Sequence, residues 1–274
     1  MEEPTVPRPL LPALLLCLLP LAAPAADPAA GGETGIRLQD LERQAAAGDP
    51  ESQYILGLLY EVGKGVEKDP KKAAELYEKA ARQGHGRAMT NLGAMYHKGL
   101  GVPKDPEKAR QWYSKAAEAG LPKAQYNLAL LYAGQDEAHR DLEKTLYWFT
   151  QAAKQGHLRA QVNLGVMYGE GIGVEKDYAQ AVRWLVPAAR EGMPQAKVRL
   201  TRYLQQLPKL RISRMRVNIR SEPSLKSTVI ARRNTGDLVY RLGESEDGKW
   251  YAVYLPQAQE LGWVASFLAE PAKP

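Results

Sequence analysis

Three pairs of residues, each a cation followed four positions later by an asparagine, recur along the chain at intervals of 36 residues. They are Arg87/Asn91, Lys123/Asn127 and Arg159/Asn163, here called the cation–Asn strip. Residues four apart lie on one face of a helix, and such a cation and amide can together bind a carboxylate or a peptide backbone. The strip therefore predicts a binding surface for a protein or peptide partner. The pairs at its two ends, Glu51/Ile55 and Gln195/Arg199, depart from the pattern.

The asparagines of the cation–Asn strip also fit a second interpretation. A buried amide needs hydrogen-bond partners, and an asparagine on a packed helix can find them on the neighbouring helix. In that case the asparagines belong to the packing between helices. The residue types alone allow both interpretations.

A second candidate surface lies between Lys209 and Gly236, where eight Lys and Arg residues accompany a single acid, Glu222. Such a run is attracted to an anionic surface or an acidic protein, although it also fits a solvated face. The residues from which we expect binding to an anionic surface are Arg214, Arg216, Arg220, Arg232 and Arg233, here called the basic set. Nucleic acid is not expected as a partner, because the chain begins like an exported protein.

Catalytic and metal-binding patterns are not evident in the sequence. The Gly-x-Gly-Val loops lack the preceding strand and the later lysine of a phosphate-binding loop. Asp136, Glu137 and His139 fall in one loop without the spacing of metal ligands. We therefore expect no enzyme activity, catalytic residue, metal, cofactor or small-molecule substrate.

The elements that carry these residues follow from a repeat of 36 residues. A glycine returns in exact register at Gly48, Gly84, Gly120, Gly156 and Gly192. A fixed period of this length is typical of a solenoid of stacked helix pairs. Aspartates in register predict the N-caps of the second helices, at Asp69, Asp105, Asp141 and Asp177. The recurring glycines predict the ends of those helices, where a left-handed residue closes the last turn.

The first and second helices of each repeat are predicted to pack closely. Gly57, Gly93, Ala129 and Gly165 occupy one position of the first helix and allow its partner to approach. Large residues of the second helix, such as Trp112 and Tyr113, supply bulk, and we interpret them as core rather than as a ligand cage.

This register resembles the Sel-1-like repeat, a relative of the tetratricopeptide repeat. The second repeat carries the matching residues Ala88, Leu92-Gly93, Tyr96, Gly99, Gly101-Val102, Asp105, Lys108-Ala109, Trp112-Tyr113, Ala116-Ala117 and Gly120. The resemblance implies an α-solenoid that scaffolds protein complexes, often in bacterial envelopes, without catalysis. The third repeat departs at residues 135–140 but keeps its length, so we expect the stack to continue.

After Pro208 the hydrophobic period changes from helical to two. Met215, Val217 and Ile219 alternate with polar residues, which predicts a half-buried strand, and four more short strands follow. Val217–Ser221, Pro223-Ser224, Gly236, Trp250-Tyr251 and Gly262–Val264 resemble a bacterial Src-homology-3 domain. That resemblance implies a small all-β barrel that binds cell-wall peptides, glycans or proteins.

The first 25 residues resemble a secretory signal. Leu10–Ala23 is apolar but broken by two prolines, and Ala23-Pro24-Ala25 fits a small-x-small cleavage site. This predicts a periplasmic or secreted protein, with an uncleaved membrane anchor as the alternative. Residues 26–37 are expected to be a flexible tether.

The expected fold class is thus an α-solenoid of antiparallel helix pairs (38–207) followed by a small all-β barrel (209–270) and a tail (271–274). The formal net charge is +6 and the hydrophobic content is 45%, as in ordinary globular chains. The expected function is a non-catalytic adaptor of the bacterial cell envelope that binds a protein or peptide partner. The alternative is a peptidoglycan-binding accessory factor that recruits or regulates a cell-wall enzyme.

Overall fold

The computed structural model describes residues 38–134 and 140–272. The expected signal peptide and tether, and Asp136, Glu137 and His139, lie outside the described residues. The described chain forms two compact units, residues 38–157 and 158–272. Within these ranges no helix is long and apolar enough to cross a membrane.

The described helices of the first unit are, in chain order, α1 (Leu38–Ala46), α2 (Pro50–Val62), α3 (Pro70–Arg82), α4 (Gly86–Lys98), α5 (Pro106–Glu118), α6 (Pro122–Tyr132) and α7 (Leu142–Lys154). They pack as antiparallel pairs, α2 with α3, α4 with α5 and α6 with α7. The expected helix pairs are therefore confirmed in this unit.

The local signals that delimit these helices act as expected. Asp105 caps α5 because its side chain accepts a hydrogen bond from Lys108 N at 3.0 Å. Asp141 caps α7 in the same way, and its own N–H donates to Tyr132 O at 2.9 Å. This bond is present in every repeat, so the third repeat keeps its register across residues 135–139. The recurring glycines have φ between +83° and +99°, which closes the second helices.

The glycines of the first helices allow the close approach that the sequence predicts. A Cβ atom at Gly93 would lie 2.8 Å from the Tyr113 ring. Tyr77, Tyr113 and Phe149 are almost fully buried, which confirms them as core, whereas Trp112 and Trp148 are only half-buried.

The second unit contains three helices and a strand-rich region. The helices are α8 (Leu158–Glu170), α9 (Tyr178–Arg190) and α10 (Pro194–Leu204). The strands are β1 (Lys209–Ile212), β2 (Val217–Arg220), β3 (Val229–Arg233), β4 (Leu238–Glu244), β5 (Trp250–Leu255), β6 (Glu260–Ala265) and β7 (Ala269–Pro271). A 3₁₀ turn, Ser266–Leu268, precedes β7.

All seven described strands form one antiparallel sheet in the order β3-β2-β6-β5-β4-β1-β7. The helical solenoid followed by a small all-β region is confirmed, but the sheet is not closed into a barrel. β3 and β7, at its two edges, each pair with one strand only. The sequence prediction missed β1 and β7, and it placed Met215 in a strand although this residue precedes β2 and is 75% exposed.

The open sheet buries apolar side chains on both of its faces. Val253 and Leu255 of β5 belong to a core formed within the strand-rich region. Ala252 and Tyr254 of the same strand join a different cluster with residues of α9 and α10. Because the helices cover one face, closure into a barrel is not needed to bury it. Trp250 is buried, and Trp263 is half-buried against the helical cluster.

Candidate partner-binding surfaces

The first member of the cation–Asn strip, Arg87 of α4, is exposed but has an acidic partner. Its guanidinium lies 3.1 Å from Glu51 Oε1, and its central carbon is 5.1 Å from the centre of the Tyr54 ring. Glu51 also accepts a hydrogen bond from His85 Nε2 at 2.8 Å, because His85 Nδ1 already caps α4 by accepting from Ala88 N. Arg87 is thus held by the preceding repeat. Lys123 of α6 is exposed and forms no ion pair with any carboxylate of the described ranges.

The asparagines of the strip in this unit serve the contact between repeats. Asn91 lies near the hydroxyl of Tyr77, which donates to Glu61 Oε2 at 2.5 Å. Asn127 lies near the hydroxyl of Tyr113. Burial raises the pKa of both tyrosines, so their hydroxyls stay protonated. The amides are therefore committed to the packing of the stack, and the cations are the members that face solvent.

The third pair of the strip lies on α8, in the second unit. Arg159 is half-buried there, and Asn163 is only 3% exposed. Asn163 Nδ2 has no hydrogen-bond partner among the described residues. The three pairs of the cation–Asn strip are therefore not equivalent in their exposure to solvent.

Four residues of the basic set gather at one end of the β2–β3 hairpin. Arg214 and Arg216 lie in the turn before β2, and Arg216 N donates to Asn234 Oδ1, just after β3, at 3.2 Å. Arg233 pairs with Val217, and Arg232 with Asn218, across the two strands. Arg220 lies at the other end of β2, half-buried, where its guanidinium donates to Ser227 O at 2.6 Å. The structure thus separates Arg220 from the other four, here called the basic cluster.

No arginine of the basic cluster forms an ion pair with a carboxylate of residues 38–134 or 140–272. Arg214, Arg216 and Arg232 are exposed, and so is Met215 between the first two. Four like charges that form no ion pair favour a positive potential at this end of the sheet, where they can attract an anion.

The residues that hold Arg87 and the strip's amides, namely Glu51, Tyr77 and Tyr113, were missed by sequence reasoning. The signal was present, since Glu51 and Arg87 occupy the same position of successive repeats with opposite charge. Among the described residues, no group of three or more His, Cys, Asp or Glu is placed to hold a metal ion.

The chain matches a family model of known proteins. The Sel1 repeat model matches residues 50–85, 86–121, 122–157 and 158–193, which is more than half of the chain. The chain belongs to the Sel1 repeat family. Proteins with Sel1 repeats act as protein-interaction scaffolds, and the fold is in general non-catalytic.

Two solved structures of Sel1 repeat proteins are similar to this chain. A protective antigen present in uropathogenic Escherichia coli strains is 35% identical over 63% of this chain and 37% of its own, with a TM-score of 0.60. A Sel1 repeat protein from Oxalobacter formigenes is 35% identical over 61% of this chain and 68% of its own, with a TM-score of 0.56. The chain thus covers little more than a third of the antigen's length. No curated protein matches the chain.

Proposed function

We propose that this Sel1 repeat protein is a non-catalytic adaptor of the bacterial cell envelope. Its repeats bind a protein or peptide partner, and its C-terminal sheet, as a Src-homology-3-like domain, docks to an anionic or cell-wall surface. The family's scaffold role supports the first part. The signal-like residues 1–25 and the resemblance of residues 217–264 to a bacterial Src-homology-3 domain support the second.

The observation that carries the docking role is the basic cluster. Its arginines lie together without acidic partners, whereas many other exposed cations, such as Arg82 and Lys144, are paired within the fold. Cations that no internal carboxylate neutralises are available to an external anion. Their attraction to it weakens as salt rises, because exposed charges are screened over about 10 Å at 0.1 M salt.

The test is co-sedimentation of the full chain with purified peptidoglycan sacculi and with vesicles of anionic phospholipid. We expect binding at low salt that falls several-fold in R214Q/R216Q/R232Q. The matched control K64Q/K68Q/K71Q removes three exposed lysines of the first unit that form no ion pair with a carboxylate of the described residues. It should leave binding unchanged. Equal losses in both variants, or no sedimentation of the wild-type chain with either surface, would contradict the docking role.

The alternative function is a peptidoglycan-binding accessory factor, and a small cavity in the second unit favours it. Arg183, Ser221 and Trp263 are among the residues that line this cavity of about 60 Å³. A cavity of this size is too small to enclose a sugar, but its arginine can pair with one carboxylate of an acidic wall peptide. Sedimentation with sacculi that resists salt, survives R214Q/R216Q/R232Q and is lost in R183Q would replace the adaptor proposal by this one.

A further inference from the structure

The first unit contains a cavity at the second repeat. The cavity has a volume of about 430 Å³ and is lined by Ala81 and Arg82 at the end of α3, Gly84, Met89 of α4, and Trp112 and Lys115 of α5. All six residues lie in the first unit. The volume is in the range of small-ligand sites and exceeds what one large side chain fills.

A pair of glutamines closes the corresponding place in the first repeat. Gln53 donates to Ala45 O at 3.1 Å, and its own oxygen accepts from Gln83 Nε2 at 2.9 Å. Ala45 occupies the repeat position of Ala81, and Gln53 that of Met89. The two amides thus cross the groove between successive repeats and link one helix to the next.

The third repeat closes the same place with the same chemistry. Gln125 donates to Ala117 O at 3.1 Å and accepts from Gln155 Nε2 at 2.8 Å. In the second repeat both partners are replaced, the first by Met89 and the second by Ala119. Methionine has no N–H to donate, and alanine does not reach across the groove. The cavity therefore lies where two substitutions remove a glutamine pair that the first and third repeats share.

The lining of the cavity combines an apolar floor with a cationic rim. Met89 and Trp112 are half-buried and pack against the core of α1–α4. Lys115 Nζ lies 4.7 Å from the centre of the Trp112 ring and has no carboxylate partner within 4.0 Å among residues that the structure describes. Arg82 stands beside it and is paired with Glu78 at 2.6 Å. Within the described residues, Lys115 is therefore the lining cation without an ion-pair partner.

We infer that this cavity binds a segment of a protein partner in which an aromatic side chain is followed directly by a glutamate or an aspartate. The aromatic ring packs on Met89 and Trp112, where sulfur–aromatic and ring–ring contacts are available. The carboxylate pairs with Lys115 at the rim. This inference rests on the scaffold role proposed above and adds a second binding surface, formed by α3, α4 and α5 and separate from the basic cluster.

The test uses the full chain labelled with 5-fluorotryptophan, in which ¹⁹F NMR resolves each tryptophan and W112F assigns the signal of Trp112. The probe is the capped peptide Ac-Gly-Phe-Glu-Gly-NH₂. We expect the Trp112 signal to shift saturably as the peptide is added. Replacement of Glu by Gln in the peptide, or K115Q in the protein, should weaken binding about threefold, as expected for one exposed ion pair. Replacement of Phe by Gly should weaken it about tenfold or more.

The decisive variant is M89Q/A119Q, which restores the glutamine pair of the neighbouring repeats. The backbone at Ala119, with φ −72° and ψ 4°, is close to that at Gln83 and Gln155, so the pair should fit without strain. We expect this variant to fold with at least wild-type stability and to lose binding of the peptide about tenfold. Matched control substitutions are Q53M/Q83A, which remove the pair in the first repeat and should leave the Trp112 response intact.

An unchanged Trp112 shift in M89Q/A119Q would overturn the inference, and so would the absence of any shift with the wild-type chain. Equal binding of the Glu and Gln peptides would exclude the acidic part of the ligand and overturn the inference as stated. None of these outcomes depends on sedimentation with sacculi or vesicles, so failure of this site and failure of the docking role are distinguishable.

Discussion

Single glycines determine how closely the paired helices pack. A methyl group at Gly93 would lie 2.8 Å from Cδ1 of Tyr113, which is only 3% exposed and has no room to retreat. We expect G93A to lower the free energy of unfolding by about 1–3 kcal/mol through overpacking, despite the better helix propensity of alanine. Urea denaturation of the full chain measures this. A variant as stable as the wild type would show that the ring moves aside without cost.

A single tyrosine gives the second unit a dependence on alkaline pH. Tyr203 of α10 is 1% exposed, and its hydroxyl donates to Glu170 Oε1 at 2.7 Å. Burial, with the nearby carboxylate, raises the pKa of Tyr203 from 10.0 to about 12. The folded chain therefore keeps a proton that the unfolded chain loses, so this stabilisation is complete below pH 10 and is lost as the pH rises through 12.

The phenylalanine variant isolates this effect. Y203F has no proton to lose, so its free energy of unfolding should fall less than that of the wild type between pH 8 and pH 11. Urea denaturation at both values provides the comparison, and the other tyrosines, common to both chains, cancel in the difference. Parallel pH profiles for the two chains would contradict a raised pKa at Tyr203.

At the scale of elements, each second helix depends on its aspartate cap. Asp105 accepts from Lys108 N at 3.0 Å, and its own N–H donates to Tyr96 O at 2.9 Å, which closes the loop between α4 and α5. We expect D105A to lower the free energy of unfolding by about 1 kcal/mol, whereas D105N, which also caps, should lose only a few tenths. Chemical denaturation of both variants checks this, and equal losses would show that the side-chain cap is not what stabilises the helix.

The helices could be predicted because their signals are local and occur four times. A capping aspartate, a closing glycine and a position for close approach sit within each 36-residue unit and agree with one another. The open sheet could not be predicted in this way. Whether the sheet closes into a barrel depends on how β4–β6 pack on α9, and this packing involves residues far apart in the chain. β1 could have been predicted from the sequence, because Leu210 and Ile212 alternate with exposed cations.

The candidate sites were only partly accessible from the sequence. Periodicity identified the cations and asparagines of the strip, but it did not show that Asn91 and Asn127 lie near the hydroxyls of Tyr77 and Tyr113. Periodicity could not identify the second-repeat cavity. Met89 and Ala119 are informative because they differ from the glutamines at the same positions of the first and third repeats. Such a departure becomes meaningful only when the structure shows what the glutamines of the other repeats do.

At the scale of the whole molecule, the last helices and the sheet of the second unit are expected to fold together. Leu242 and Tyr254 of the sheet belong to the same buried cluster as Val182, Leu185 and Leu204 of α9 and α10. A chain that ends at Leu207 would leave part of this cluster exposed to water. We therefore expect the protection of α9 and α10 amides to fall by about 2 kcal/mol or more, while α3–α5 stay protected.

Hydrogen exchange on the truncated and full chains measures this, with R214Q/R216Q/R232Q as the control that changes the sheet's charge and keeps its core. If α9 amides exchange equally slowly in the truncated chain, the sheet is an independent module. Loss of protection would instead mean that deletion of residues 208–274 also alters the last repeat. Loss of surface binding on truncation would then not identify the sheet as the docking element, because the damaged repeat could account for it equally well. Substitution of the exposed arginines avoids that ambiguity, since it removes charge from the basic cluster without removing any apolar side chain from the shared core.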